Sequence, residues 1–372
     1  MQATCSVQRE HDRRCEQLAR RLRQHKQRDR YRSKLPYSDS NPAKFFESDY
    51  CMQPLRILTW QAHSSYLHAL GQLPHQFYLM TDTELPATDW PYGDNIHLLP
   101  AEQASSAQFD CILFHRREQY LEEQHRYLSP MQRRLPRIYV EHAAPADDQA
   151  GTRHPVDDPD VLLVHVTSYN ALMWDNGRQT IRVIHHGVAA SADLDYSGER
   201  QCGVVLGNRL WSQPGSESRH GPGSDIYQQL CRRIPLEVVP TQCPATPEHT
   251  HCAPLQLPAK VIHYRFLFHP ARSHTLDPGV IAAMMSGLPV IGLATGEMAN
   301  LIQNGVSGYV ETDLDKLAAH MQELLDNPHY AFALGRGAQR RARQRFGMPR
   351  FLADWNAALQ SVTGLRAVPG MD

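Results

Sequence analysis

From Leu55 onward, short apolar runs alternate with helical or mixed stretches, and this alternation sets the expected architecture. The runs fall at Leu55-Arg56-Ile57-Leu58-Thr59-Trp60, 76–80, 111–114, 137–140, 161–166 and 182–184. Alternation of this kind argues a parallel sheet covered by helices on both faces. A second series opens with Gly203-Val204-Val205-Leu206-Gly207, passes through a helix over 224–233 to a strand over 236–239, and then reaches the densest pattern in the chain. There an apolar strand over 264–269, a loop from Pro270, a helix opened by Pro278 and the turn Ser286-Gly287-Leu288-Pro289-Val290-Ile291 follow without interruption, forming one β-α-β unit. After Asp313, Leu317, Met321, Leu324 and Leu325 recur at helical spacing, as do Phe351, Trp355, Ala358 and Leu359 in a last helix over 348–362; these are core stripes. The pattern predicts an α/β chain with two Rossmann-like domains, joined through the polar, glycine-containing passage 193–200.

In a β-α-β unit the helix N-terminus points at the carboxyl edge of the sheet, where unpaired N–H groups and the helix dipole favour an anion. The chemistry is therefore expected near residues 272–279. The stretch Ala282-Ala283-Met284-Met285-Ser286-Gly287-Leu288-Pro289-Val290-Ile291, followed by Gly305-Val306-Ser307-Gly308-Tyr309-Val310, resembles the donor-binding unit of family 4 glycosyltransferases with the GT-B fold. In that family the loop and helix carry a pair of glutamates, the first on the donor sugar and the second on the nucleotide ribose. The matching positions here are His274 and Ala282, and Asn300 stands where many relatives carry a further glutamate.

The resemblance implies two facing Rossmann-like domains with a C-terminal helix that crosses back to the first. It divides the chain into a basic polar extension (1–51), an acceptor domain (52–198), a nucleotide-sugar donor domain (199–347) and a crossing helix with its tail (348–372). It also implies transfer of a sugar from a nucleotide-diphosphate donor to a saccharide or lipid-linked acceptor, with retention if the chain follows the family. A GT-B domain that binds a saccharide or a partner protein without transferring sugar is the reading from a different class. An NAD-dependent oxidoreductase is disfavoured because no strand is followed by Gly-x-Gly-x-x-Gly.

Sugar transfer needs an anion clamp, since negative charge accumulates on the leaving diphosphate, and basic residues must supply it when no metal does. The family's arginine after the first strand of the second domain and its following lysine map onto Arg209 and Arg219. His274 is placed for a hydrogen bond to the donor sugar, and Gly279 and Val280 for backbone N–H donation at the helix start. Asp277, directly before Pro278, reads as an N-cap whose carboxylate would occupy the field a diphosphate should enjoy. Phe109-Asp110-Cys111-Ile112-Leu113-Phe114-His115 resembles the family's aspartate, apolar run and cleft histidine, so His115 is the catalytic candidate. A histidine ending a parallel strand sits at the edge where ligands of open α/β sheets bind. His142 ends the next strand and His63 lies in the loop after the first, with Ser64-Ser65 in place of the family's glycines; both are acceptor-side candidates. A hydrogen-bonded loop residue is the bland reading of His142. In His185-His186-Gly187-Val188 the glycine is expected for its dihedral freedom and the histidines for structure.

With 372 residues, of which 41% are apolar, the chain can bury a substantial core in two domains. A net charge of −1 gives the molecule as a whole no electrostatic reason to seek nucleic acid. Only the start departs from this: Arg13, Arg14, Arg20, Arg21, Arg23, Lys26, Arg28, Arg30, Arg32 and Lys34 crowd into a polar segment. It reads as a basic arm for an anionic membrane surface or nucleic acid, or as a solvated extension, and the extension is preferred because charge runs are usually solvated. No membrane-length apolar run or secretory pattern occurs, so a cytoplasmic protein is expected, with peripheral membrane contact through the basic N-terminus left open. The 8 cysteines lack C-x-x-C spacing and read as reduced thiols. Cys243, His249, His251 and Cys252 are zinc-ligand types in a proline-rich loop without a recognised spacing, and read as surface. No metal or other cofactor is expected, the nucleotide sugar being a co-substrate.

Overall fold

Strand β1 (Arg56–Trp60) is buried from Ile57 to Trp60, as a strand covered on both faces must be. In the computed structural model, which describes residues 53–61, 64–81, 93–145, 150–189, 195–207, 223–240, 257–272 and 276–364, β1 lies inside a parallel sheet. The order is β3-β2-β1-β4-β5-β7-β9, with β2 Gln76–Thr81, β3 Ile96–Pro100, β4 Cys111–Phe114, β5 Arg137–Glu141, β7 Val161–His165 and β9 Ile181–Val183. Strands β6 (Thr152–Arg153) and β8 (Trp174–Asp175) pair separately. Helices α1 (Ser64–Leu70), α2 (Ala101–Ala104), α3 (Gln124–Tyr127) and α4 (Ser168–Met173) connect them. Thr167 caps α4 by accepting the Asn170 N–H, the first-turn donor that the helix cannot pair itself.

The second lobe is a parallel sheet in the order β11-β10-β12-β13-β14, built from β10 Arg200–Leu206, β11 Leu236–Val239, β12 Tyr264–His269, β13 Val290–Leu293 and β14 Gly308–Glu311. Its helices are α5 (Ser224–Leu230), α6 (Leu257–Val261), α7 (Pro278–Met285), α8 (Met298–Leu301), α9 (Leu314–Asp326) and α10 (Pro328–Phe346). In both sheets the chain runs outward on one side of the first strand and then returns to the other, which puts a topological switch point between β1 and β4 and another between β10 and β12. Ligands of open α/β sheets settle in the crevice at such points.

The expected α/β class, parallel sheets and crossing helix are all present. Helix α10 packs Ala338, Ala342 and Phe346 into the second lobe, whereas α11 (Met348–Thr363) sends Phe351, Trp355, Ala358 and Leu359 into the core of the first. Gly347, in extended backbone at φ −60° and ψ 142°, makes the break between them, and Pro349 starts the new helix. The segment after β9 seals the junction as Val188 N–H donates to Phe346 O at 2.8 Å and Arg350 donates to the carbonyls of His185 and His186 at 2.7 and 2.8 Å.

The reason for Gly187 differs from the expected one. Its φ is not in the positive region, so dihedral freedom is not what requires glycine. A Cβ there would stand 2.6 Å from Phe351 Cγ and 2.9 Å from Met348 Sδ, so the requirement is for space against the crossing helix. Gly187→Ala is expected to cost about 1–3 kcal/mol by overpacking, read as a lower urea midpoint at unchanged m-value.

Acid should also destabilise the fold. His75, His165 and His185 have pKa values lowered chiefly by burial, with the Arg345 guanidinium adding to the effect at His185. A group whose folded pKa is depressed binds fewer protons folded than unfolded, so stability is lost as pH falls through the unfolded value of about 6.5. The urea midpoint is expected to drop between neutral pH and about pH 5.5, and substituting His165 by Gln should reduce that drop.

Candidate functional site

The carboxyl ends of β1, β4 and β5 bring a polar cluster together at the first lobe's switch point. Thr59, 1% exposed, is the one hydroxyl in the apolar run of β1, and His115, 6% exposed, follows directly on β4. His115 Nε2 lies 3.1 Å from Thr59 Oγ1, and His115 Nδ1 lies 3.0 Å from His142 Nε2. The two imidazoles are nearly parallel, at 29°. Behind them sits Tyr66 of α1, fully buried and at a near right angle to both rings, to His186 and to Phe351 of the crossing helix. Burial pushes the Tyr66 phenol pKa far up, only partly offset by Trp355 and Arg350, so Tyr66 stays neutral and acts as a wall. The backbone after β4 is pinned by Gln119, whose Oε1 accepts the N–H of His115 at 2.7 Å and of Arg116 at 3.0 Å. Thus His115, the catalytic candidate, and His142, an acceptor-side candidate, stand side by side, next to Thr59, Tyr66 and Gln119, which the sequence reading does not single out. A threonine inside an apolar strand was the available signal for Thr59.

On the second lobe, α7 begins as the sequence predicts. Asp277 is the N-cap, 3% exposed, and its Oδ1 accepts the Gly279 N–H at 2.8 Å; the Val280 N–H is donated to the Asp277 carbonyl at 3.0 Å. Both expected donor N–H groups thus have partners within the protein. Ala282 sits on the face of α7 that lines a cavity of about 240 Å³, together with Met285, His68 of α1, Gln72 in the turn after it, and His186 in the segment after β9. Arg272, at the edge of the expected region, forms a bidentate pair with Asp225 at 2.8 and 2.7 Å. His63, Arg209, Arg219 and His274 lie outside the described residues, as does the Cys243–Cys252 cluster.

A buried carboxylate ties the two lobes. Glu297, 1% exposed, accepts the Tyr169 N–H of α4 at 3.0 Å and pairs with Arg345 of α10. Among the described residues no group of three or more His, Cys, Asp or Glu side chains is placed to hold a metal ion, and no helix is long and apolar enough to cross a membrane.

No protein-family model matches the chain. No curated protein matches it by sequence either. Solved structures do match. Sucrose-phosphate synthase from Thermosynechococcus elongatus superposes with a TM-score of 0.57 at 13% identity, over 83% of this chain and 99% of that one. Anabaena HepE in complex with UDP and glucose gives 0.55 at 13% identity, over 82% and 100%. AviGT4, a glycosyltransferase involved in avilamycin A biosynthesis, gives 0.52 at 12% identity, over 84% and 98%. The chain has the fold of the GT-B glycosyltransferases. Each match runs across almost the whole of the other chain and more than four fifths of this one. At these identities the likeness is one of fold, and the chemistry must be argued from the side chains of the GT-B cleft.

Proposed function

We propose that the chain is a nucleotide-sugar glycosyltransferase acting on a saccharide or lipid-linked acceptor, with retention of configuration. The observation that carries this is the Thr59–His115–His142 cluster at the switch point of a GT-B fold, the position where the sheet edge meets a ligand. The likeness to HepE, whose structure holds UDP and glucose, supports a nucleotide-diphosphate donor. In this reading Arg209 and Arg219 hold the leaving diphosphate, His274 and the start of α7 face the donor, and His115 and His142 serve the reacting and acceptor hydroxyls. His63 belongs to the acceptor side. A cytoplasmic location and membrane contact through the basic N-terminus are part of the same proposal.

One observation favours a second reading, a GT-B domain that binds a saccharide or partner without transfer: the Asp277 carboxylate already accepts the Gly279 N–H. A negative charge there opposes a diphosphate. Calorimetry with UDP and GDP, together with hydrolysis of their sugars, separates the two. Binding that Arg209→Ala abolishes supports the transferase; no binding at millimolar nucleotide supports the second reading. Asp277→Asn keeps a good cap and removes the charge, so it is expected to tighten UDP binding roughly fivefold, about 1 kcal/mol.

A further inference from the structure

The outward face of α10 carries positive charge without an ion-pair partner among the described residues, and we propose that it is a docking surface for a membrane of anionic lipid.

After its first turn, the exposed positions of α10 are Phe332, Ala333, Arg336, Arg340, Arg343 and Gln344. At 3.6 residues per turn they fall within one sector of roughly 120°. The helix holds five arginines and no aspartate or glutamate. Two of the five turn away from the face: Arg341 donates to the carbonyls of Leu301 and Asn300, and Arg345 pairs with Glu297. Arg336, Arg340 and Arg343 make no hydrogen bond or ion pair among the described residues.

These three stand at i, i+4 and i, i+3, spacings at which like charges destabilise a helix. A face that is merely solvated mixes its signs, as α9 does with exposed Asp315, Lys316 and Glu323. The helix dipole favours Arg343, in the last turn, but does not reach Arg336 or Arg340. Apolar side chains adjoin the row. Phe332 is 49% exposed and held by stacking on Tyr196 with centroids 6.2 Å apart, and Val306 is 42% exposed beside α10, where Gly337 leaves room for its carbonyl.

An anionic bilayer answers both features. Its phosphates suit guanidinium forks, and the boundary between headgroups and acyl chains suits a protruding phenyl ring. The basic run from Arg13 to Lys34 has the same sign as this face, so it is no counter-charge for it. Nucleic acid asks for a wider basic footprint than one helix face in a chain of net charge −1. The inference is independent of the sugar-transfer reading, and a wild type without turnover would leave it standing.

The test is co-sedimentation of the full-length protein with vesicles of phosphatidylcholine alone or mixed with phosphatidylglycerol. The wild type is expected on the mixed vesicles only, and less of it as salt rises. Arg336→Gln/Arg340→Gln/Arg343→Gln keeps good helix formers and removes three charges, so partition to the mixed vesicles is expected to fall roughly a hundredfold. Should that variant unfold, Arg336→Gln and Arg340→Gln singly replace it, each with an expected loss of roughly fivefold. Phe332→Ser is expected to weaken binding severalfold with the salt dependence kept. Arg134→Gln/Arg178→Gln/Arg232→Gln removes the same charge from exposed positions elsewhere and is expected to lose roughly fivefold at most. Full binding by the α10 triple variant, equal losses in the two triple variants, or a wild type that ignores the mixed vesicles overturns the proposal. So does a single-stranded RNA oligonucleotide that binds more tightly than the vesicles through the same three arginines, which makes the partner a nucleic acid.

Discussion

His115→Ala is expected to lower kcat for nucleotide-sugar turnover by roughly 10²–10⁴-fold, the range for loss of a positioned acid–base group. The substitution removes the ring that links Thr59 to His142, so His142 loses its hydrogen bond to His115 but keeps its edge contact with Tyr66. The diphosphate is held elsewhere in the proposal, by Arg209 and Arg219, so the Kd for UDP should stay within a few-fold of wild type. Initial rates of donor hydrolysis and UDP calorimetry on the same preparation separate the two effects. Turnover within fivefold of wild type would remove His115 from the chemistry, and a parallel loss of UDP binding would place it in donor recognition instead.

The position of His115 was legible because β4 carries a repeated physical signal: an unbroken buried run, CILF, that can only be a strand covered on both faces, ending at a polar ring. The β12–α7–β13 unit was legible for the same reason, with Asp277 and Pro278 marking the helix start to the residue. Strand β3 was not, since its pattern IHLLP buries little beyond Leu99 and it lies at the sheet edge, where side chains need not be apolar. Gly187 was identified as a necessary glycine for the wrong cause, because its constraint comes from Phe351 and Met348, more than a hundred residues away in sequence. Long-range packing of that kind leaves no local mark. Glu297 illustrates the same limit more strongly: in sequence it is one acidic residue in a glycine-rich exit, and only the fold brings Tyr169 and Arg345 to its two oxygens.

That burial makes Glu297 the position with the largest expected effect on stability. Glu297→Ala should cost about 3–5 kcal/mol, the range for removing one partner of a buried ion pair, because the loss is dominated by the charge left behind. Arg345, with its side chain 18% exposed, would keep the Asn300 carbonyl at 3.1 Å and the Phe346 ring but lose its carboxylate, and the Tyr169 N–H at the start of α4 would lose the Glu297 oxygen. Glu297→Gln should cost less, since an amide oxygen still accepts from Tyr169 while the charge pairing is gone. Adding Arg345→Met to Glu297→Gln should recover part of the loss, since no unpaired charge is then buried. Urea unfolding of the wild type, Glu297→Gln, Arg345→Met and the double variant gives the cycle. A Glu297→Ala cost under about 1 kcal/mol would mean the pair behaves as a solvated surface bridge. Because Tyr169 belongs to the first lobe and Glu297 to the second, the same substitution should also speed hydrogen exchange at Tyr169 beyond what the global loss of stability explains, which makes this carboxylate a tie between the lobes as well as a buried charge.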